Sequence, residues 1–148
     1  MFKRRAKFKD EATLKGFKAD PKRGVTKSMV KQLQTLHFMS SFENIVLYGN
    51  TSASKSYLAQ AIGHTACHSR REAMFIPMNY LFSQIKAAEK VGTYLMFLKH
   101  LGQIPLLIFD DFGLKAYTHQ EATMLYQIFE NRYQKGSTII TTQTRHQG

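Results

Sequence analysis

Gly49-Asn50-Thr51-Ser52-Ala53-Ser54-Lys55-Ser56 is the most informative stretch of the chain. It follows a short apolar run, Ile45-Val46-Leu47-Tyr48, and precedes a segment with helical periodicity. The pattern G-x-x-x-x-G-K-[ST] between a strand and a helix binds phosphate. Its backbone N–H groups close on the anion, its Lys reaches the outer phosphates, and its hydroxyl binds Mg²⁺. We therefore predict a phosphate-binding loop at residues 49–56.

One position of this loop departs from the pattern. Ser54 stands where the second glycine belongs. A Cβ atom at this point crowds a backbone that must approach a ligand closely, and glycine reaches unusual dihedral angles at lower cost. The match therefore predicts a phosphate site that is weakened by one side chain.

Length and composition limit what the loop can belong to. The chain has 148 residues, of which 43% are hydrophobic, and this favours one globular domain with a single core. Cys67 is the only cysteine and so cannot form an internal disulfide. Charged residues follow Met1 where a secretory signal would be apolar, and no stretch is long enough to span a bilayer. These features predict a cytoplasmic protein without a membrane partner.

The net charge of +11 is concentrated near the N-terminus. Residues 1–31 contain eleven Lys or Arg and three acidic residues, which leaves +8 in this segment. Such a concentration is typical of a surface that contacts a polyanion. A solvated arm whose charge only aids solubility is the alternative. We interpret residues 1–24 as a basic N-terminal arm that contacts DNA non-specifically, and residues 25–148 as the folded domain.

Strands and helices are predicted to alternate after the arm. The predicted helices cover 27–37, about 55–69, 80–89, 91–101 and 118 to about 134, and the predicted strands cover 44–48, 72–78, 106–109 and 137–142. Leu95, Leu98 and Leu101 are predicted to share a buried face. In the last helix we expect the inward residues to be Ala122, Leu125, Tyr126 and Phe129. This alternation predicts an α/β fold with a parallel, doubly wound sheet and a ligand site at the carboxyl ends of its strands.

A second chemical element follows the apolar run 106–109. Four apolar residues that end in Asp110-Asp111 have the form of a strand whose first carboxylate helps to hold Mg²⁺ and whose second orients or deprotonates an attacking water. Gln143, at the end of the last predicted strand, could reach both a γ-phosphate and water; an exposed strand end is the simpler reading.

Several segments together resemble a known family. Residues 49–56, Ala61-Ile62-Gly63-His64, LLIFDDFG at 106–113 and GSTIITTQ at 136–143 are similar to IstB-type transposition helper ATPases, relatives of the DnaC helicase loaders within the AAA+ class of P-loop NTPases. The resemblance implies ATP and Mg²⁺ as cofactors, with Lys55 on phosphate, Ser56 and Asp110 on Mg²⁺, Asp111 at the water and Gln143 as the first sensor. It also implies DNA, a transposase or helicase-type protein and further copies of the chain as partners.

The departures from this family shape the functional hypothesis. The positions of Ser52 and Ser54 are normally glycine in the family, and family members continue beyond residue 148 into a fifth strand, an arginine finger and a small lid. We expect a truncated AAA+ domain with sheet order 5-1-4-3-2 whose first strand is left as an edge. The preferred hypothesis is an ATP-binding protein that assists DNA transposition or helicase loading, with weak or absent hydrolysis. The alternative is a catalytically inactive DNA- or partner-binding remnant.

Overall fold

A computed structural model describes residues 12, 14, 26–49 and 52–143, with residues 52–54 described by their backbone alone. Most of the predicted basic arm, two loop residues, Asn50 and Thr51, and residues 144–148 lie outside the described residues. None of the helices in the described ranges is long and apolar enough to cross a membrane.

The described elements alternate as the sequence predicts. In chain order they are α1 Lys27–Thr35, α2 His37–Ser40, β1 Ile45–Tyr48, α3 Ser52–His68, β2 Ala73–Pro77, α4 Met78–Lys90, α5 Tyr94–Gln103, β3 Leu106–Asp110, α6 His119–Arg132 and β4 Ser137–Thr142. The four strands form one parallel sheet in the order β1-β4-β3-β2. This arrangement confirms the predicted α/β class and the 1-4-3-2 part of the predicted strand order.

The core consists of two apolar clusters on opposite faces of the sheet. Along β3, Leu106 and Ile108 belong to the cluster beneath α1, α2 and α3, whereas Leu107 and Phe109 belong to the cluster beneath α4, α5 and α6. Successive side chains of a strand point to opposite faces, so a strand covered on both sides is apolar throughout. The continuous apolar run of β3 is explained by this burial.

The first cluster also includes residues from the predicted arm. Ala12 and Leu14 are almost completely buried and pack among residues of α3 and the sheet. At least these two positions therefore belong to the core, although they lie before residue 24. The boundary at residue 24 stays a prediction.

Several helices differ from their predicted bounds: α4 spans Met78–Lys90 instead of 80–89, and α5 spans Tyr94–Gln103 instead of 91–101. The helix predicted over 27–37 is divided into α1 and α2 at Leu36, whose φ of 58° lies in the left-handed region. Helix α3 begins at Ser52, three residues before the predicted start at Lys55. Glycine is about 1 kcal/mol less favourable than alanine in a helix, and serine lies between them. Ser52, Ala53 and Ser54 therefore extend the helix into a segment that glycines would hold open.

A capping box opens α6, as Thr118 followed three residues later by Glu121 indicates. The Glu121 N–H donates to Thr118 Oγ1 at 3.1 Å, and the Thr118 N–H donates to Glu121 Oε1 at 2.9 Å. Of the four predicted inward residues, Leu125 is buried and Phe129 is half-buried against the second cluster, and the other two predictions were wrong. Ala122 and Tyr126 are exposed, and the buried residues are Met124, Leu125, Ile128 and Arg132. Periodicity did not distinguish the two faces because it treats an arginine as a surface residue.

The predicted buried face of α5 was wrong at one position. Leu98 and Leu101 are buried, whereas Leu95 is 77% exposed. Each step of three residues turns a position by about 60° around a helix, so Leu95 and Leu101 are about 120° apart. A run of leucines at intervals of three therefore drifts off the buried face.

Candidate functional site

The carboxyl ends of β1, β3 and β4 meet at the N-terminal end of α3. The Gly49 N–H, directly after β1, lies 3.3 Å from the Thr142 carbonyl and 3.2 Å from the Gln143 carbonyl. These contacts fix the start of the loop against the end of β4. Strand ends of a parallel sheet are where ligands bind in folds of this class.

Asp110 joins three elements at this point. Its Oδ1 atom accepts hydrogen bonds from Ser56 Oγ of α3 at 2.8 Å and from Thr141 Oγ1 of β4 at 2.7 Å. The carboxyl is nearly buried, so two short hydrogen bonds offset much of its desolvation. The structure therefore brings together Ser56 and Asp110, which the sequence predicts as a pair.

Thr141 is a site residue that sequence reasoning missed. Besides donating to Asp110, its hydroxyl accepts the Asp111 N–H at 2.9 Å, and its carbonyl accepts the Phe112 N–H at 2.8 Å. The signal was available, because a buried threonine in an apolar strand needs a hydrogen-bond partner. In a parallel sheet that partner is a polar group at the same level of the neighbouring strand.

The donor set at Ser56 and Asp110 fits Mg²⁺. A hydroxyl and a carboxylate are hard oxygen ligands, and Mg²⁺ in nucleotide sites is bound by one or two such groups together with phosphates and water. The two oxygen atoms are already within 2.8 Å of each other. No described group of three or more His, Cys, Asp and Glu residues is arranged to hold a metal ion. A metal here thus depends on ligands from the nucleotide.

Lys55 is folded back onto its own loop. Its Nζ atom donates to the Gly49 carbonyl at 2.7 Å, and the side chain is only 6% exposed. Burial lowers the pKa of Lys55, and this effect outweighs the attraction of Asp111 and, to a smaller extent, Asp110, which raises it. A Cβ atom on Gly49 would lie 3.2 Å from Lys55 Cδ, so glycine leaves the space that the folded lysine occupies.

Asp111 lies beyond the end of β3 in a strained backbone conformation. Its φ of 61° is in the left-handed region, which few residues other than glycine adopt. The hydrogen bond from its N–H to Thr141 Oγ1 holds this conformation. The negative charge of Asp111 favours the protonated form of Lys55 and so raises its pKa, against the larger effect of burial. Gln143 is exposed, and its backbone carbonyl, rather than its side chain, contacts Gly49.

The early start of α3 changes which backbone groups face the site. The first N–H groups of a helix have no acceptor within the helix, and here they include those of residues 52–54. In an α-helix that begins at Ser52, the Ser56 N–H is directed to the Ser52 carbonyl. A phosphate at this helix terminus would therefore meet donors that precede Lys55 and Ser56 in the chain.

The parallel sheet, the loop-to-helix connection and the Ser56–Asp110 pair define a P-loop α/β protein of the AAA+ type. Solved structures share this fold: AMPPCP-bound DnaA from Aquifex aeolicus superimposes with a TM-score of 0.80 at 21% identity, covering 92% of this chain and 42% of that chain. The DnaC helicase loader gives a TM-score of 0.72 at 24% identity, covering 92% and 78% of the two chains.

The family follows from the sequence comparison. The profile of the family described as IstB-like ATP binding protein matches residues 1–147, and the chain belongs to this family. A protein of Sinorhizobium fredii, named for an insertion sequence and ATP binding, is 32% identical over 138 residues, covering 93% of this chain and 56% of its own. An IS21 relative from Pseudomonas aeruginosa is 28% identical over 130 residues, covering 88% and 49%. The chain therefore spans about half the length of these curated relatives.

Proposed function

We propose that the protein binds ATP with Mg²⁺ at residues 49–56 and assists the transposition of an insertion sequence, or helicase loading, on DNA. The observation that carries the proposal is the meeting of Ser56, Asp110 and Thr141 at distances of 2.7 and 2.8 Å. Three separate elements must be correctly placed for this contact to form. Relatives named for insertion sequences and ATP binding support the biological role, and a DnaA neighbour with AMPPCP bound supports an adenine nucleotide.

We assign the predicted residues the following roles in this proposal. Lys55 leaves the Gly49 carbonyl and binds the outer phosphates, while backbone N–H groups at the start of α3 bind the inner ones. Ser56 and Asp110 would hold Mg²⁺, which neutralises phosphate charge when bound. Asp111 orients the attacking water, and Gln143 senses the γ-phosphate. Asn50 and Thr51 complete the loop.

Hydrolysis is weak in this proposal. Aspartate at position 111 has one methylene fewer than glutamate and reaches less far towards a water. Its backbone is also held at a φ of 61° by the hydrogen bond to Thr141, so it cannot shift cheaply to compensate. ATP then acts through its binding, which changes the conformation of the domain, and not through its hydrolysis. We expect Asp111→Asn to leave the affinity for ATP unchanged. The slow hydrolysis should fall to the background rate, as measured by phosphate release.

The polyanion partner in this proposal is DNA, and its first contact is the basic segment before residue 25. Because Ala12 and Leu14 are buried, deletion of the segment would damage the core. Replacement of Lys3, Arg4 and Arg5 by Gln removes charge and leaves both core residues in place. Each lost phosphate contact on duplex DNA should reduce the slope of log affinity against log salt by about 0.9. An unchanged slope would place the DNA contact elsewhere.

The ATP site is tested by titration with a fluorescent ATP analogue in the presence of Mg²⁺. Lys55→Ala is expected to abolish saturable binding, because no other cation of the described residues lies in the loop. Lys90→Ala removes the same charge from an exposed position of α4 and should bind as the wild type does. Equal affinities for the two variants would refute a phosphate site at Lys55.

A second candidate function is favoured by a specific observation. Lys55 is hydrogen-bonded to the Gly49 carbonyl, and α3 begins as early as Ser52. Both features leave less room for a phosphate in the loop, and this favours an inactive relative that binds DNA or a protein without nucleotide. The absence of saturable ATP binding in the wild type, together with retained DNA binding, would select this alternative.

A further inference from the structure

A cavity of about 480 Å³ lies beside the site, where α4 faces the loop that follows β3. Asp111 forms part of its wall and thus faces both this cavity and the charge of Lys55. Of the loop residues whose side chains the structure describes, Gly49, Lys55 and Ser56 do not line the cavity. It is therefore a second concave surface at the same edge of the sheet.

Two aromatic side chains form the floor of this cavity, Phe82, which is 9% exposed, and the half-buried Tyr117. The rings of Phe82 and Tyr117 meet edge to face with centroids 5.4 Å apart, and Tyr117 makes a second such contact with Phe112, also at 5.4 Å. The Gly113 N–H donates to the Tyr117 hydroxyl at 2.6 Å, which ties the loop after β3 to this ring. Three contacts on one side chain fix the ring before any ligand arrives.

The mouth of the cavity carries two cations. Lys86 of α4 and Lys115 of the loop are exposed and line the cavity, and neither makes a hydrogen bond or an ion pair with any residue that the structure describes. The lining also contains the carboxylates of Asp111 and Glu121, and Glu121 accepts the Thr118 N–H in the capping box. The two lysines are the cationic groups of the lining that an anionic ligand would contact.

We propose that this cavity binds one nucleotide unit of a single-stranded nucleic acid, with the base against Phe82 and Tyr117 and the phosphate between Lys86 and Lys115. Aromatic floors with flanking cations are how proteins bind single strands without reading sequence. A duplex keeps its bases stacked inside and cannot place one here. An acidic polypeptide would satisfy the lysines but has no flat group for the floor. The net charge of +11 favours encounter with any polyanion, so the floor decides between these ligands.

This site is distinct from the proposed ATP site and can be tested without nucleotide. Fluorescence anisotropy with a labelled oligothymidylate would compare the full chain with its Lys86→Gln/Lys115→Gln variant. We expect about five-fold weaker binding or more, and a fall of about 1.4 in the slope of log affinity against log salt, since each single-strand phosphate contact contributes about 0.7. The control is Lys90→Gln/Lys99→Gln, which removes two exposed lysines of α4 and α5 outside the cavity. Equal losses in both variants would overturn the proposal.

Competition and crosslinking identify the ligand. Photocrosslinking with 4-thiothymidine in the oligonucleotide should modify peptides that contain Phe82 or Tyr117, and modification confined to other peptides would contradict the site. Unlabelled single-stranded DNA or RNA should displace the probe, and the better of the two identifies the natural strand. Displacement by polyglutamate or by duplex at equal charge concentration would assign the cavity to acidic polypeptides or to non-specific anions. Displacement by ATP at concentrations that fill the loop site would make the cavity part of that site.

Discussion

Ser54 departs from the phosphate-loop pattern both in its residue type and in its backbone conformation. Its side chain stands at a glycine position, and the backbone of residues 52–54 is helical where the pattern requires an open loop. Helix propensity explains this, because glycine disfavours a helix by about 1 kcal/mol relative to alanine. Restoring glycine would favour the open form.

We therefore predict that Ser54→Gly increases the affinity for ATP. The free energy needed to open the first turn of α3 should fall by the difference in helix propensity, which is below about 1 kcal/mol. This corresponds to an increase in ATP affinity of up to about five-fold. Ser69→Gly, a serine outside the loop, is the control and should leave affinity unchanged. Titration of both variants with Mg²⁺ and ATP makes the comparison, and an affinity of Ser54→Gly at or below the wild-type value would refute the argument from helix propensity.

The burial of the Lys55 charge lowers the stability of the fold. Its pKa is lowered from 10.5 because the folded protein desolvates its charge. The unfolded chain therefore binds this proton more tightly than the folded one, and below the folded pKa the charge destabilises the fold. This penalty is fully present below the folded pKa, decreases as the pH rises through it, and is gone above the unfolded value of 10.5.

The prediction for stability is that Lys55→Met raises the thermal midpoint at pH 7 in the absence of nucleotide, by roughly 2–4 °C for each 1 kcal/mol gained. The difference from the wild type should narrow as the pH is raised towards 10. The same substitution should eliminate ATP binding. A variant less stable than the wild type at pH 7 would show that the bond to Gly49 outweighs desolvation.

At the scale of elements, Arg132 holds the ends of α5, α6 and β4 together. Its guanidinium donates to the carbonyls of Leu101 and Ile104 at 2.7 Å and of Ser137 at 2.6 Å, and Nε donates to Thr138 Oγ1 at 2.8 Å. Burial lowers its pKa to about 10, so it remains a cation at neutral pH. Gly136 leaves room for it, because a Cβ there would lie 2.9 Å from Arg132 Nη2.

Loss of this contact set should be costly. Arg132→Met leaves three buried carbonyls without their donor, and we expect the free energy of unfolding to fall by about 3 kcal/mol or more. Lys135→Met, an exposed change in the next turn, should alter it by less than about 0.5 kcal/mol. Urea denaturation measures both values. Similar losses would mean that water replaces the guanidinium at little cost.

The elements also show what the sequence could predict. The strand–loop–helix unit, the buried strand 106–109 and the α6 capping box have strong local signals, because apolar runs and capping residues act over a few positions. The buried faces of α5 and α6 could not be predicted fully from the sequence. Leu95 fits the spacing of the leucines but is exposed, and Arg132 is polar but is buried. Thr141 was missed for a similar reason. Its role depends on Asp110, which is 31 residues away in sequence and adjacent only in the sheet.

At the scale of the whole molecule, the strand order makes β1 an edge strand of the described sheet. β1 pairs with β4 on one side and is the outermost strand of that sheet, and its Val46 and Tyr48 are 45% and 55% exposed. No Pro or Lys lies within the strand, and such an edge can accept a further strand.

We predict that the chain self-associates through β1 at high concentration. Val46→Lys places a charge on this edge and should reduce association, provided that circular dichroism shows an intact fold. Tyr133→Lys, at another exposed position, should not. Light scattering across a concentration series distinguishes the variants. Monodisperse wild-type protein, or equal association in both, would rule out the edge as the contact.

The contact of Ser56 and Thr141 with Asp110 makes Mg²⁺ dependence the most direct test of the whole account. We predict that Mg²⁺ strengthens ATP binding by the wild type and that Ser56→Ala, which removes one of the two hydroxyls on Asp110, loses most of this gain while retaining the weaker binding in EDTA. Calorimetric titration of both proteins with and without Mg²⁺ gives the four affinities. Wild-type binding that is indifferent to Mg²⁺, or an undiminished Mg²⁺ effect in Ser56→Ala, would contradict it.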